Sequence, residues 1–225
     1  MLILVLGKGR TGSLVAEVAR ERGHGVRALD INENEHAAAL TAPNLAGVDV
    51  VIDFTAPEAA VENIRAVLAL GGRIVVGTTG WYDRLDEMRT LAHKRGGALL
   101  YSPNLSFSVQ KLFRLTELLA QLKGYKFEIG ETHHTSKLDA PSGTAITLRQ
   151  IIETVQPGIE VEIASHRIGD AAGEHIVSAV CGDDTLSIRH DSHSRRGFAL
   201  GAVRAAEWLA GKSGAFDFRD IFEQL

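Results

Sequence analysis

Cysteine is almost absent from this 225-residue chain, and its single instance, Cys181, excludes an internal disulfide. A fold without such cross-links fits a reducing compartment, so a cytoplasmic protein is expected. Charge of one sign is missing as well. The formal net charge is −4 and no block of like charge stands out, which argues against nucleic acid or an anionic membrane as a partner. No apolar run is long enough to span a bilayer. No basic leader with a small-residue cleavage site precedes the first apolar segment, and no internal repeat, low-complexity segment or flexible linker is evident. What remains is a composition that is 45% apolar, enough for a sizeable core in one or two domains.

The first apolar segment is informative. Leu2-Ile3-Leu4-Val5-Leu6 reads as a strand buried in a parallel sheet, and it runs straight into Gly7-Lys8-Gly9-Arg10-Thr11-Gly12. A helical face of Leu14, Val15, Val18 and Ala19 follows, ending near Gly23. Gly25 to Leu29 then makes a second strand that closes on Asp30. Strand, glycine turn, helix, strand and acid are the parts of a dinucleotide site. The glycines permit a tight turn and close approach of a pyrophosphate to a helix N-terminus, and the acid holds a ribose hydroxyl pair. A carboxylate at this position repels the extra phosphate of NADP, and Ile31 and Asn32 follow it where an arginine would welcome one. NADH is therefore favoured over NADPH, although Lys8 and Arg10 can still meet a phosphate.

Alternation of strands and helices continues: strands at 48–54 and 73–77, a helix at 59–70, another at 85–95, and a strand at 98–101. Open parallel sheets bind ligands at the carboxyl ends of their strands. Those ends carry Phe54-Thr55, Gly77-Thr78-Thr79-Gly80 and Ser102-Pro103-Asn104, which serve equally as turn formers. Beyond Asn104 the pattern changes. A helix at 109–122 precedes a half-buried strand in which Tyr125, Phe127 and Ile129 alternate with Lys126, Glu128 and Gly130. Further strands are expected near 160–167, 174–181 and 185–191. A run of strands with few helices predicts a second, mostly antiparallel α+β domain. A helix from Gly197 to Gly211 is expected to return to the first domain. The boundaries that follow are 1–104 plus 196–225 for a dinucleotide-binding domain and 105–195 for a second, substrate-binding and oligomerisation domain.

The densest chemistry lies in Glu131-Thr132-His133-His134-Thr135-Ser136-Lys137-Leu138-Asp139-Ala140-Pro141-Ser142-Gly143-Thr144-Ala145. The polar run is expected to begin where the preceding strand ends. Pro141 suits a first helical turn, and Ser142 or Asp139 can cap it. Leu148, Ile151, Ile152 and Val155 then mark one helical face, so Gly143 and Thr144 sit at a helix N-terminus able to hold a carboxylate or phosphate. Adjacent His133 and His134 on an extended segment point to opposite faces and do not share one ion, so no metal is expected.

This segment closely resembles the signature of the 4-hydroxy-tetrahydrodipicolinate reductase (dihydrodipicolinate reductase) family. The likeness extends to the amino-terminal glycine turn, Asp53-Phe54-Thr55, Gly77-Thr78-Thr79-Gly80, and 201–209 followed by Gly211-Lys212. The resemblance implies a Rossmann-type domain joined to an α+β domain, and an enzyme of the diaminopimelate route of lysine biosynthesis. Its reaction would be hydride transfer from NADH or NADPH to a small cyclic dicarboxylate, giving tetrahydrodipicolinate. By matched positions, His133 would be the catalytic proton donor or acceptor and Lys137 a second proton donor, with His134, Gly143 and Thr144 holding substrate. Gly7, Lys8, Gly9, Arg10, Thr11, Gly12, Asp30, Gly77, Thr78, Thr79, Ser102, Pro103, Asn104 and Leu105 would hold the cofactor. A homotetramer built through the second domain's sheet is also implied. Hydride addition to a conjugated imine leaves negative charge that must be protonated, which suits a histidine beside a cation. Arg195 reads first as a solvated surface arginine and second as a further cation at the domain junction. The cofactor and acid–base groups lie on different halves of the chain, so domain closure is expected.

Overall fold

The computed structural model describes residues 1–225. They divide into two compact units, Met1–Ser106 with Arg195–Leu225, and Phe107–Ser194.

The first unit is built on β1 (Leu2–Leu6), α1 (Arg10–Glu21), β2 (Gly25–Leu29), a four-residue helix α2 (Ala42–Leu45), β3 (Val50–Asp53), α3 (Pro57–Ala69), β4 (Arg73–Val76), α4 (Leu85–Arg95) and β5 (Ala98–Tyr101). Its strands form a six-membered, wholly parallel sheet in the order β10-β5-β4-β3-β1-β2. The sixth strand, β10 (Gly214–Asp217), had no counterpart in the sequence reading, because Gly214-Ala215-Phe216-Asp217 is too short and mixed to show a period. The central strands read as continuous apolar runs because both faces are covered; β3 and β5 are buried at every position. Leu4, Leu6, Val51, Ile74, Val76 and Leu99 point to one face and join Ile64, Val67 and Leu68 of α3 and Met88 of α4 in one core cluster. On α7 (Arg196–Leu209) the buried positions are mostly small, including Ala199, Gly201, Ala202, Ala205 and Ala206. At Gly201 even a Cβ would lie 1.7 Å from the Leu105 carbonyl oxygen, so the helix backbone packs directly on that segment. A short helix, α8 (Phe218–Ile221), ends the unit.

The second unit starts with α5 (Phe107–Leu119) and continues through β6 (Lys126–His133), α6 (Gly143–Val155), β7 (Val161–Arg167), β8 (Glu174–Val180) and β9 (Thr185–Asp191). The sheet order is β7-β6-β8-β9. It is mixed: β6 and β7 are parallel, while β6–β8 and β8–β9 are antiparallel. The helix α6 between β6 and β7 is the reason, since a helical crossover returns the chain in the same direction. Two of the three pairings are antiparallel, which agrees with the expected second α+β domain on a mixed or antiparallel sheet.

Register explains what the inner face offers. Three rows cross the four strands: Val161, Phe127, Ala179 and Leu186; then Ile163, Ile129, Val177 and Ile188; then Ser165, Glu131, His175 and His190. Apart from Leu186, which is exposed, the first two rows join Leu112, Phe113, Leu148 and Ile152 of α5 and α6 in an apolar core. The third is polar and lies on the same face, because side chains two apart on a strand share a side. A strand expected to stop before Glu131 thus continues to His133, carrying the functional residues on its regular pleat.

Candidate active site

In the first unit the carboxyl ends of β1, β2, β3 and β4 border two clefts. One, of about 390 Å³, is lined by Gly7, Lys8, Gly9, Asp30, Thr55 and Asn63 among others. The other, of about 350 Å³, takes in Gly9, Arg10, Thr11, Gly77, Thr78 and Thr79, with Arg195. They share Gly9 and Thr55. The strand order reverses between β1 and β3, the position at which open parallel sheets bind ligands.

The glycines divide by role. Gly7 has φ +94, and a Cβ there would lie 2.2 Å from the Phe54 carbonyl oxygen; at Gly12 it would lie 1.9 Å from the Gly7 carbonyl oxygen. These two are required by the protein's own packing. Gly9 has nothing within 4 Å of its missing Cβ, and it caps α1 without a side-chain hydrogen bond. The open space and the uncapped helix start suit an anion approaching the backbone, so these residues fit a dinucleotide pyrophosphate.

Asp30 accepts from the backbone N–H groups of Asn32 (3.0 Å) and Glu33 (3.2 Å) through one oxygen. Lys8 does not stand free: its Nζ donates to Glu33, which also accepts from the Asp30 N–H at 2.9 Å. The hydrogen bond raises the Lys8 pKa and lowers that of Glu33. Thr78 is buried. Its hydroxyl donates to Asp53 (2.6 Å) and accepts from the Thr55 N–H (2.8 Å). Asp53, fully buried, also accepts from the Thr55 N–H and hydroxyl and from Asn63. Burial pushes its pKa up while the donors from Thr78, Asn63 and Thr55 oppose that shift. Asp53 was quoted in the sequence only as part of a motif; its place as the hub of the β3 and β4 ends is visible only in three dimensions. Ser102 is turned inward too, its hydroxyl donating to the Asn104 carbonyl and accepting from the Asn104 N–H. Leu105 is buried against Gly201. Neither these nor Pro103 line the two clefts.

In the second unit the polar row forms a connected cluster. Glu131 is buried, and one carboxylate oxygen accepts from the Ser142 N–H (3.1 Å) and from Arg167 Nη2 (3.1 Å). The other oxygen lies 3.1 Å from His133 Nδ1, a close contact without hydrogen-bond alignment, and 3.9 Å from His175 Nε2. Burial opposes the Glu131 charge, but hydrogen bonds from Ser142, Ser165 and Arg167 outweigh it and hold the carboxyl at about 2. His133 is lowered, first by burial; Glu131 and Asp139 act against that, and Lys137 and Arg167 with it. His175, more deeply enclosed, is pushed down to about 4 by burial, with His133 adding to the shift. The His133 and His175 rings meet edge to face at 5.1 Å between centroids.

Beyond β6 the loop is pinned from below. Arg167 donates to the carbonyls of Lys137 (3.2 Å), His166 and Asp139. Lys137 Nζ donates to both oxygens of Asp139 at 2.7 and 2.8 Å, and His134 Nδ1 lies 2.8 Å from the Ser136 hydroxyl. Helix α6 begins at Gly143, not at Pro141, and Ser142 is its cap, accepting from the Ala145 N–H at 3.2 Å. Gly143 is exposed and Thr144 half-buried, which leaves the first turn of a 13-residue helix facing outward.

Sequence reading missed His175 and Arg167 altogether. The signal lay in register, since a histidine and an arginine on two strands opposite Glu131 and His133 mean little until those strands are paired. Glu131, His133 and His175 present ligand atoms within 4.8 Å of one another, close enough in principle for a metal ion. The Arg167 guanidinium and the Ser142 N–H both bond Oε1 of this carboxylate, so its negative charge is already compensated within the protein.

A parallel sheet with a glycine turn at its switch point, joined to a unit carrying an acid–base cluster beside a helix start, defines an NAD(P)H-dependent oxidoreductase of Rossmann type. Profiles for the two halves of one family cover nearly all of the chain: dihydrodipicolinate reductase, N-terminus, at residues 1–105 and dihydrodipicolinate reductase, C-terminus, at 108–222. The chain belongs to the dihydrodipicolinate reductase family. It is 38% identical to the 4-hydroxy-tetrahydrodipicolinate reductase of Christiangramia forsetii, across all of this chain and 99% of the relative. It is 37% identical to that of Natronomonas pharaonis, over 98% of this chain and 99% of the relative. Among solved structures, a dipicolinate-bound dihydrodipicolinate reductase from Paenisporosarcina sp. TG-14 has the same fold, with a TM-score of 0.82 at 22% identity over 98% of this chain and 99% of that one.

Proposed function

We propose that this chain converts 4-hydroxy-tetrahydrodipicolinate to tetrahydrodipicolinate in the diaminopimelate route to lysine, the 4-hydroxyl leaving as water to give a conjugated imine that takes a hydride from NADH or NADPH and a proton. The observation that carries the reading is the second unit's cluster, where a buried His133 and the cation Lys137 stand in one short segment with the outward-facing start of α6. A substrate with two carboxylates and a reducible conjugated imine needs those groups. The nicotinamide cofactor supplies the hydride. His133 donates the proton that the resulting charge requires. Lys137, drawn from Asp139, stabilises that charge or gives a second proton. The N–H groups of Gly143 and Thr144 hold one carboxylate, with His134 beside them.

On the cofactor side, Gly7 to Gly12 and the start of α1 hold the pyrophosphate, Gly77, Thr78 and Thr79 the nicotinamide half, and Asp30 a ribose. Because Thr78 commits its hydroxyl to Asp53, it contributes backbone groups. Ser102, Pro103, Asn104 and Leu105 line neither cleft and support the fold behind them instead of touching the cofactor. NADH is preferred: Asp30 and Glu33 put two carboxylates at the ribose, and Glu33 occupies the nearest cation. The enzyme works in the cytoplasm as a homotetramer. The outer sheet face of the second unit, with Lys126, Glu128, Glu162, Ile176 and Arg189 uncovered by α5 or α6, supports assembly on a second copy.

The test is direct. Purified protein mixed with enzymatically generated substrate oxidises NADH, followed by loss of its absorbance, and oxidises NADPH more weakly. No oxidation of either cofactor by folded protein would sink the reading. In His133→Ala and Lys137→Ala, kcat falls by about 10²- to 10⁴-fold while NADH binding persists. Loss of NADH binding in both variants would remove those residues from the proton-transfer roles.

A further inference from the structure

Glu131 is the one fully buried acid in the cluster, and it has no counterpart among the groups expected to touch substrate. Its two oxygens face different parts of the site. One takes the N–H of Ser142, the residue that caps α6, and the guanidinium of Arg167, which holds the loop carrying Lys137. The other abuts His133 Nδ1 at 3.1 Å. Nδ1 lies against the carboxylate without hydrogen-bond alignment, and the other ring nitrogen, Nε2, lies on the far side of the imidazole. There it packs on Gly173, at φ +145, where a Cβ would sit 3.2 Å from Nε2.

We propose that Glu131 is the positioning residue of this site, setting its carboxylate against the Nδ1 side of the His133 ring as the negative charge that favours the imidazolium, while tying the proton donor to the start of α6. The proposal rests on the reductase reading, since it assigns Glu131 a role through His133. Charge is what the site uses here. Every group facing His133 has been placed: Glu131 on its own strand, His175 on β8, Arg167 on β7, and Lys137 and Asp139 in the following loop. His190 on β9 faces His175 from behind. Of these, Glu131 and Asp139 favour the imidazolium; Arg167 and Lys137 disfavour it. Burial weakens water's screening, so the nearest carboxylate counts most.

Glu131→Gln keeps the shape and an acceptor for Ser142 but removes the charge, and it leaves Arg167 uncompensated, which acts in the same direction. In this variant the imidazole resonance of His133, assigned by its absence in His133→Gln, titrates about one pH unit lower than in the wild type. The alkaline limb of the kcat profile moves down with it, so that above that limb kcat is about tenfold lower. KM for NADH is unchanged. Glu131→Asp keeps the charge at a longer reach and recovers most of the shift. A folded Glu131→Gln in which the His133 titration and the limb stay in place, whatever its kcat, overturns the proposal. If Glu131→Gln does not fold, Glu131→Asp decides: a smaller shift in the same direction supports it and an unmoved titration overturns it. The NMR readout needs no turnover, so failure of the reductase reading in the wild-type assay is distinguishable from failure of this one.

Discussion

Two helices begin beside the functional strand ends of this protein, and opposite means hold them. Helix α1 starts at Gly9 with no side-chain cap, and its turn is set by atoms that are missing from Gly7 and Gly12. Helix α6 starts at Ser142, whose hydroxyl caps the Ala145 N–H while its own N–H is held by the buried Glu131 carboxylate. The first solution is steric and leaves its front open; the second is electrostatic and draws on strands far away in sequence. They ought to fail differently, one on adding a methyl group and the other on changing a protonation state.

The largest effect is expected at Gly12→Ala. Its Cβ would collide with the Gly7 carbonyl, backbone that cannot swing away, at a cost on the order of 3 kcal/mol or more. Thermal melting should fall sharply and NADH binding should be lost. Gly9→Ala is the contrast: its φ of −72 suits alanine and nothing stands within 4 Å. Its melting temperature should be unchanged while NADH affinity drops by about tenfold, because the methyl enters the space assigned to pyrophosphate. Equal melting temperatures for the two variants would break the comparison.

The second effect concerns the charge-held start. Burial depresses His175 from its ordinary 6.5 to about 4, so on acidification the unfolded chain takes up this proton before the folded one does. Stability from this group is fully present above about pH 6.5 and declines toward pH 4, by about 3 kcal/mol in all. Glu131, depressed from 4.5 to about 2, adds a further loss between those values as the unfolded carboxylate is protonated first. Urea titrations at stepped pH should show the slope, and His175→Gln should flatten its upper part. A slope unaltered by that substitution would assign it elsewhere.

The smallest effect is at the nucleotide turn, where charge enters the steric half. Glu33→Gln releases Lys8 and removes one of two carboxylates beside the position proposed for the ribose. KM for NADPH should fall by about fivefold relative to that for NADH, since both groups are exposed and screened. An unchanged ratio would leave Asp30 as the sole source of any preference.

The same contrast explains what could be read from the chain. Gly7, Gly9 and Gly12 announced the first turn because a missing Cβ is written in the sequence as glycine, and Leu2 to Leu6 announced the buried parallel strand beside it. Asp30 followed at the end of the next strand. In the second unit Gly143 and Thr144 were legible as a helix start and Ser142 as one of its two candidate caps, although Pro141 lay outside the helix. The polar row was not legible. Glu131, Ser165, His175 and His190 meet only through strand register, and β6 ran on through residues whose polarity looked like a loop. Nor did Ser102 and Thr78 reveal that their hydroxyls turn inward, because nothing local in a sequence distinguishes a hydroxyl offered to a ligand from one bonded to its own turn.

The close packing of α7 on the segment before α5 has a consequence for modularity. The Leu105 carbonyl sits where a side chain on Gly201 would be, and Ser106 Oγ lies 3.7 Å from the Cβ position of Gly197. The chain thus leaves the parallel-sheet unit and re-enters it at neighbouring points. A segment inserted between such points can be exchanged or excised without re-threading its host. Joining Ser106 to Arg195 by a short loop would close the six-stranded sheet into a stand-alone module, a substitution of whole parts in which one nucleotide platform could receive a different chemistry at the same seam.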